Sequence, residues 1–204
     1  MQSNPASTVT LQKALRHGPY STEVFDVVFR VRTHQPLEFI DLTDHLNACL
    51  LEYRIEAGQV VVFSMHTTAA IKINEAEELL LEDFKCMLQR LCPPDGNYLH
   101  NDLPRRKPPI APDEHANGHS HCMHLLMPTS ETIFVSDGRL ELGTWQRVFL
   151  VELDGPRVRQ VKARFVSYKL ARATKEIMVN SNGHMQTAAQ VTNSNHQRDP
   201  VNLR

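Results

Sequence analysis

Imidazole is the reactive group this chain offers in excess. Eleven histidines stand among 204 residues, and they are unevenly spread. His66 follows an apolar run, and His100 sits in Tyr98-Leu99-His100-Asn101-Asp102. His115, His119, His121 and His124 crowd one short stretch. Zinc and similar ions prefer imidazole nitrogen, and three protein ligands with one open position form the catalytic pattern. His66, His100, His119 and His121 can supply it, with Asn101 or Asp102 behind them as hydrogen-bonding partners. In an extended segment side chains two apart share a face, so His119 and His121 are expected to converge. Spacing alone does not establish a site, because a lone histidine beside a strand more often completes a hydrogen bond in a core.

Other side chains have two readings each. Thr67 and Thr68 can donate hydroxyl hydrogen bonds to a phosphate, yet threonine is also an ordinary strand residue. Arg157 can grip a phosphate with its planar fork or serve as a surface ion pair. Glu75 can reach a site at a helix start or simply favour that helix's dipole. Trp145 and Gln146 can brace a sheet or touch substrate. Arg105-Arg106-Lys107 is a local basic cluster beside His100.

These residues need elements to position them. Val24 to Val31 reads as a strand, continued by Leu37 to Ile40, because β-branched and aromatic residues crowd there. Leu42, Leu46, Cys49, Leu50 and Tyr53 fall on one helical face, predicting a helix over 41–54 with Asp41 or Thr43 capping it. Gln59 to Met65 predicts a buried strand running into His66. A second helix is expected over 74–91, with Asn74 as N-cap, Glu77 in the capping-box position, and Leu80, Phe84, Met87, Leu88 and Leu91 buried. The Pro-rich segment 94–118 reads as a long irregular loop. Strands follow at Glu131–Val135, Arg139–Leu142, Gln146–Leu153 and Arg157–Tyr168, joined at Asp137-Gly138, Leu142-Gly143 and Asp154-Gly155. The expected fold is α+β, an antiparallel β-sandwich-like core with two main helices packed against it.

Composition sets the outer limits. With a net charge of −1 and a pI near 6.8, nothing asks for nucleic acid or an anionic membrane. No stretch approaches the ~20 apolar residues that span a bilayer. Four cysteines without a CxxC pair or a secretory leader read as reduced thiols in the cytoplasm. A polar extension over 1–20, one domain over 21–170 and a mobile polar tail over 171–204 complete the layout.

Several blocks stand in one order: His66-Thr67-Thr68-Ala69-Ala70, Asn74-Glu75, Tyr98-x-His100-Asn101, and Asn117-Gly118-His119-Ser120-His121. Then come Ser130, Gly143-Thr144-Trp145-Gln146 and Glu152-x-Asp154-Gly155-Pro156-Arg157. Over about half the chain this order resembles the YjbQ-like family, known in places as secondary thiamine-phosphate synthase. The resemblance implies that His66, His100 and His121 are the metal or catalytic histidines, with His119 or Asp102 as a fourth or outer ligand and Glu75 as a further catalytic candidate. Thr67, Thr68, Asn101, Ser130, Trp145 and Arg157 are the substrate-contacting candidates. It also implies a homotrimer that binds a divalent metal, zinc or magnesium, and acts on a small phosphorylated molecule. A metal-dependent enzyme with secondary thiamine-phosphate synthase activity is the expected function. The alternative is a non-catalytic metal- or ligand-binding assembly protein of the same fold. The Pro-rich connection between Asp102 and Asn117 is longer than in shorter members of the family.

Overall fold

The computed structural model describes residues 14–16, 20–107, 109–110, 114–170, 175–179 and 185–187. It falls into two compact units. One comprises residues 1–21 and 170–204, the other Thr22–Lys169. In the smaller unit, β1 (Ala14–Arg16) pairs antiparallel with a strand at Lys175–Val179, which pairs antiparallel with one at Met185–Thr187. This sheet was not expected in such polar stretches. The mobility expected of the tail falls largely outside the described residues.

The larger unit holds the chemistry. Its elements are β2 (Tyr20–Arg32), β3 (Glu38–Asp41), α1 (Thr43–Glu52), β4 (Gly58–Ser64) and β5 (Ala69–Glu75). They continue with α2 (Glu78–Leu91), α3 (Gly118–Leu125), β6 (Ser130–Ser136), β7 (Arg139–Leu140), β8 (Gln146–Glu152) and β9 (Val158–Leu170). One sheet has the order β2-β9-β4-β6-β7 and the other β3-β8-β5. The β4–β9, β4–β6, β6–β7, β3–β8 and β5–β8 pairings are all antiparallel. This is the expected α+β, sandwich-like core.

Period-two alternation sorts its side chains. On β8, Val148 and Leu150 enter a core with Val60, Val62, Ile133, Val135, Val161, Ala163 and Phe165 of the five-stranded sheet and with α1. Phe149 and Val151 point the other way, to Leu88 of α2 and Met123 of α3. A strand covered on both faces must be apolar throughout, which is why Val148–Val151 reads as an unbroken apolar run. The β6–β7 hairpin turns at Asp137 and Gly138, whose φ values of 50° and 71° give the doubly left-handed turn that suits Asp-Gly.

Three local expectations are corrected. Leu37–Ile40 does not extend the first strand, because Leu37 at φ 54° redirects the chain into the smaller sheet, where β3 pairs with β8. α2 starts at Glu78, not at 74: Asn74 and Glu75 pair with Arg147 and Gln146 in the β5–β8 ladder, and backbone pairing overrides the capping signal. Glu77 is the N-cap, accepting from the amides of Leu79 and Leu80 at 3.0 and 2.7 Å. On its inner face Leu88 is buried and Leu81 and Phe84 are partly buried, while Met87 and Leu91 stay exposed. Finally, 118–125 is helical, where the loop was expected to run to 118 and an extended segment to follow. Among the described residues no helix is long and apolar enough to cross a membrane.

Candidate functional site

α3 lies against the short 3-10 turn Leu99–Asn101. Asn101 Oδ1 accepts the Gly118 amide at 2.9 Å, so the expected second-tier residue instead pins the start of the helix. This docking sets the ring centroids of His100 and His121 4.5 Å apart, nearly edge to face. His119 faces Tyr98, with centroids 6.3 Å apart. The helix explains the split: residues two apart lie ~200° apart around a 3.6-residue turn, so His119 and His121 do not share a face as an extended segment would require.

Burial leaves an unusual residue of unmet hydrogen bonding here. His100 Nε2, Asn117 Oδ1, His119 Nδ1 and His124 Nε2 are buried without a hydrogen-bond partner among the described residues. Native interiors leave few such atoms, and each calls for an explanation. Glu114 Oε1 stands 3.9 Å from His100 Nε2 but is committed to Arg106 at 2.7 Å. Burial depresses the pKa of His119, His121 and His124 below the ordinary imidazole value, and the neighbouring His100 adds to the effect on His121. The folded state therefore resists protons that the unfolded chain accepts. That stability is complete above the unfolded pKa of about 6.5 and is lost as pH falls below it. Each ring adds a slope of up to about 1.4 kcal/mol per pH unit. Urea melts at pH 7.5, 6.5 and 5.5 should show stability falling on acidification; a flat profile refutes the assignment.

A second anchor sits at the turn after β8. Asp154 is 1% exposed at its side chain. His115 Nε2 donates to its Oδ1 at 2.9 Å, Asn117 Nδ2 donates to Oδ2 at 3.2 Å, and Arg157 reaches Oδ2 at 2.7 Å. Burial alone would raise this carboxyl's pKa. Hydrogen bonds from Asn117 and His115 and the charge of Arg157 outweigh it, and the net direction is down. Arg157 NH2 lies 3.2 and 3.3 Å from the two ring nitrogens of His115, so guanidinium and imidazole share one carboxylate. Arg157 remains 37% exposed, able to meet an anion. The turn hangs on Glu152, whose Oε1 accepts the amides of Asp154 and Gly155 at 2.9 and 3.3 Å.

The remaining candidates lie around these two anchors. His66 Nε2 accepts the Gln160 amide at 2.8 Å, and its charged neighbours are Arg159, Glu152 and Arg157. No hydrogen bond or ring contact links it to His100 or His121 among the described residues. Thr68 is buried and held by Arg159, while Thr67 is exposed. Ser130 opens β6 opposite Phe63. Asp102 pairs with Arg105 at 3.4 Å. Glu75 and Trp145 line a cavity of about 310 Å³ with Thr144 and Arg147, and no imidazole lines it. Glu114, Asn117, Asp154 and the His115–Asp154 pair are site residues not expected from the sequence. Only the conjunction of Asn117 with Asp154-Gly155-Pro156-Arg157 hinted at them.

The fit to a metal is partial. His100 and His121 offer two imidazoles side by side, one with an orphaned nitrogen, which suits a divalent cation. Among the described residues no three His, Cys, Asp or Glu side chains meet in a ready-made ligand set.

Comparison with known proteins spans the same region. The sequence model of the family described as "UPF0047 protein YjbQ-like" matches residues 27–168. A UPF0047 protein of Methanothermobacter thermautotrophicus is 38% identical over 140 residues, 69% of this chain and 90% of that protein. YugU of Bacillus subtilis, another UPF0047 protein, is 32% identical over 64% of this chain and 90% of its own length. The crystal structure of a YbjQ-like protein of unknown function from Sulfolobus solfataricus superposes with a TM-score of 0.64 at 30% identity. That match covers 72% of this chain and 99% of that one. A hypothetical protein of Aeropyrum pernix gives 0.61 at 36% identity, covering 69% and 97%.

Proposed function

This chain belongs to the YjbQ-like (UPF0047) family, and from that premise we propose that it is an enzyme acting on a small phosphorylated metabolite with the help of a divalent cation, zinc or magnesium. The observation that carries this reading is the buried, ionised Asp154 holding Arg157 at the surface, beside an imidazole pair with an unsatisfied buried nitrogen. Perturbed, fixed charges of this kind cluster at functional sites, and pre-set dipoles and cations are what phosphoryl or diphosphate chemistry requires. Arg157, locked by Asp154, would orient an anionic group. His100 and His121 are the residues that would hold the cation, and a bound ion there would polarise a phosphoryl oxygen as a Lewis acid. Thiamine-phosphate synthesis belongs to this proposal as a secondary activity, since it releases a diphosphate.

A homotrimer in the cytoplasm belongs to the same reading. In its support, Val24, Val28, Phe63 and Phe134 are exposed on the outward face of the five-stranded sheet, and the four cysteines are unpaired thiols. Mass in solution decides it.

The test is metal content of the purified protein, zinc titration by calorimetry, and a turnover screen over phosphorylated metabolites. One stoichiometric ion is expected. His100→Ala and His121→Ala should each weaken zinc by at least about 10–100-fold, the range already caused by losing an outer partner. Metal binding without turnover would favour the non-catalytic binding protein. Turnover that survives both substitutions in metal-free protein would sink the metal reading.

A further inference from the structure

We propose that His66 is a neutral hydrogen-bond donor that presents Nδ1–H to an anionic oxygen, phosphate or carboxylate, of the bound substrate. A backbone amide can only donate. The 2.8 Å contact from the Gln160 amide therefore makes Nε2 of His66 an acceptor, and in a neutral ring the single proton must sit on Nδ1. The same contact closes Nε2 to a metal ion. Nδ1 has no protein partner among the described residues, so its N–H is available to a ligand.

The surroundings hold the ring in that form. Protonating Nε2 would set two donors against each other. The charged groups facing it are Arg159 and Arg157, which oppose a positive ring, and Glu152, which favours one but is itself bound by Arg159. Burial acts in the same direction as the arginines.

Orientation is fixed from three sides. The Met65 amide donates to Gln160 O at 3.3 Å, the Leu153 amide donates to Thr68 O at 3.1 Å, and Arg159 NH2 donates to Thr68 Oγ1 at 3.1 Å. β9 and the end of β8 thus clamp the 65–68 turn, so the donor is pre-set before a ligand arrives, which is what makes an oxyanion-binding group effective. Thr67, exposed beside it, offers a hydroxyl on the same turn. The anionic partner rests on the function proposed above; the tautomer does not.

Long-range proton–nitrogen spectra of the full-length protein labelled with 15N-histidine test this. His66 is identified by the signals lost in His66→Gln and, independently, in His66→Ala. At pH 7 we expect a pyrrole-like Nδ1 and a pyridine-like Nε2. Inorganic phosphate should move the Nδ1–H signal saturably. Zinc should perturb His100 and His121 and leave His66 in place. An Nε2–H tautomer, a doubly protonated ring, zinc coordination at His66, or a phosphate titration that leaves His66 unmoved would each overturn the assignment. Zinc that perturbs no histidine would remove the metal from the proposed function while leaving the His66 tautomer standing.

Discussion

Glu152→Ala is expected to lower the free energy of unfolding by about 3–5 kcal/mol, read from urea melts at neutral pH. The carboxylate is fully buried at the end of β8 and points between the two sheets. Arg159 of β9, 3% exposed, faces it from the opposite sheet, with Nε donating at 2.6 Å and NH2 binding the other oxygen. Thr33 Oγ1 donates at 3.0 Å, and the amides of Asp154 and Gly155 complete the shell. Removing only the carboxylate strands the Arg159 guanidinium and the Asp154 amide away from water and unpairs the part-buried Gly155 amide, while the Thr33 hydroxyl can turn to the carbonyls of Gly155 and Arg157. The cost is their desolvation, not the worth of the pair. Replacing both partners, Glu152→Met with Arg159→Met, should recover most of the loss, because apolar replacements of buried pairs are often neutral or better. The double variant also frees Thr68 and the turn that bears Asp154 and Arg157. Stability and ligand binding should therefore separate: restored melts, weakened anion binding. A loss below about 1 kcal/mol for the single variant would mean that water reaches the pair.

The sequence disclosed most of this scaffold and only part of its site, for physical reasons that differ by residue. Asp137-Gly138 was legible because that dipeptide has few stable conformations besides the turn it makes. The stripe Leu42, Leu46, Cys49 and Leu50 was legible because a two-sided element reports its inner face by period alone. Asn74 misled because capping and strand pairing compete for the same backbone groups, and the partner strand lies some seventy positions away in sequence. α3 was hidden for a related reason. Gly, His, Ser and Cys are indifferent helix formers, and the helix is held by Met123 in the core and by Asn101, not by propensity. The blocks shared with the YjbQ-like family flagged His100, His121 and Arg157. No local pattern could show that His115 reaches Asp154 across 39 positions, since the irregular segment bearing His115 and the turn after β8 meet only in the folded chain.

Gly118→Ala poses two opposed effects, and their sizes predict the outcome. Alanine is the better helix former by up to about 1 kcal/mol in a helix interior, and less at a first-turn position such as this. Gly118 is not in the left-handed region, so backbone strain plays no part and the requirement is space. A Cβ there would lie 2.5 Å from Tyr98 Cβ, 2.9 Å from Tyr98 Cγ and 3.0 Å from Asn101 Oδ1. Tyr98 Cβ is fixed to the backbone and cannot rotate away, so the 99–101 turn must retreat from α3. Overpacking of this kind costs about 1–3 kcal/mol and exceeds the propensity gain. The same retreat lengthens the Asn101–Gly118 hydrogen bond and parts the His100 and His121 rings. Zinc affinity should fall together with stability, although neither imidazole is altered. The readout is paired: a urea melt and a zinc titration on one preparation. Tyr98→Gly, which removes the obstructing Cβ, should make the alanine cheaper in a double-mutant cycle. If Gly118→Ala stabilises the protein and leaves zinc binding unchanged, then the helix start does not press on the 99–101 turn, and the tight approach described above is not what aligns the imidazole pair.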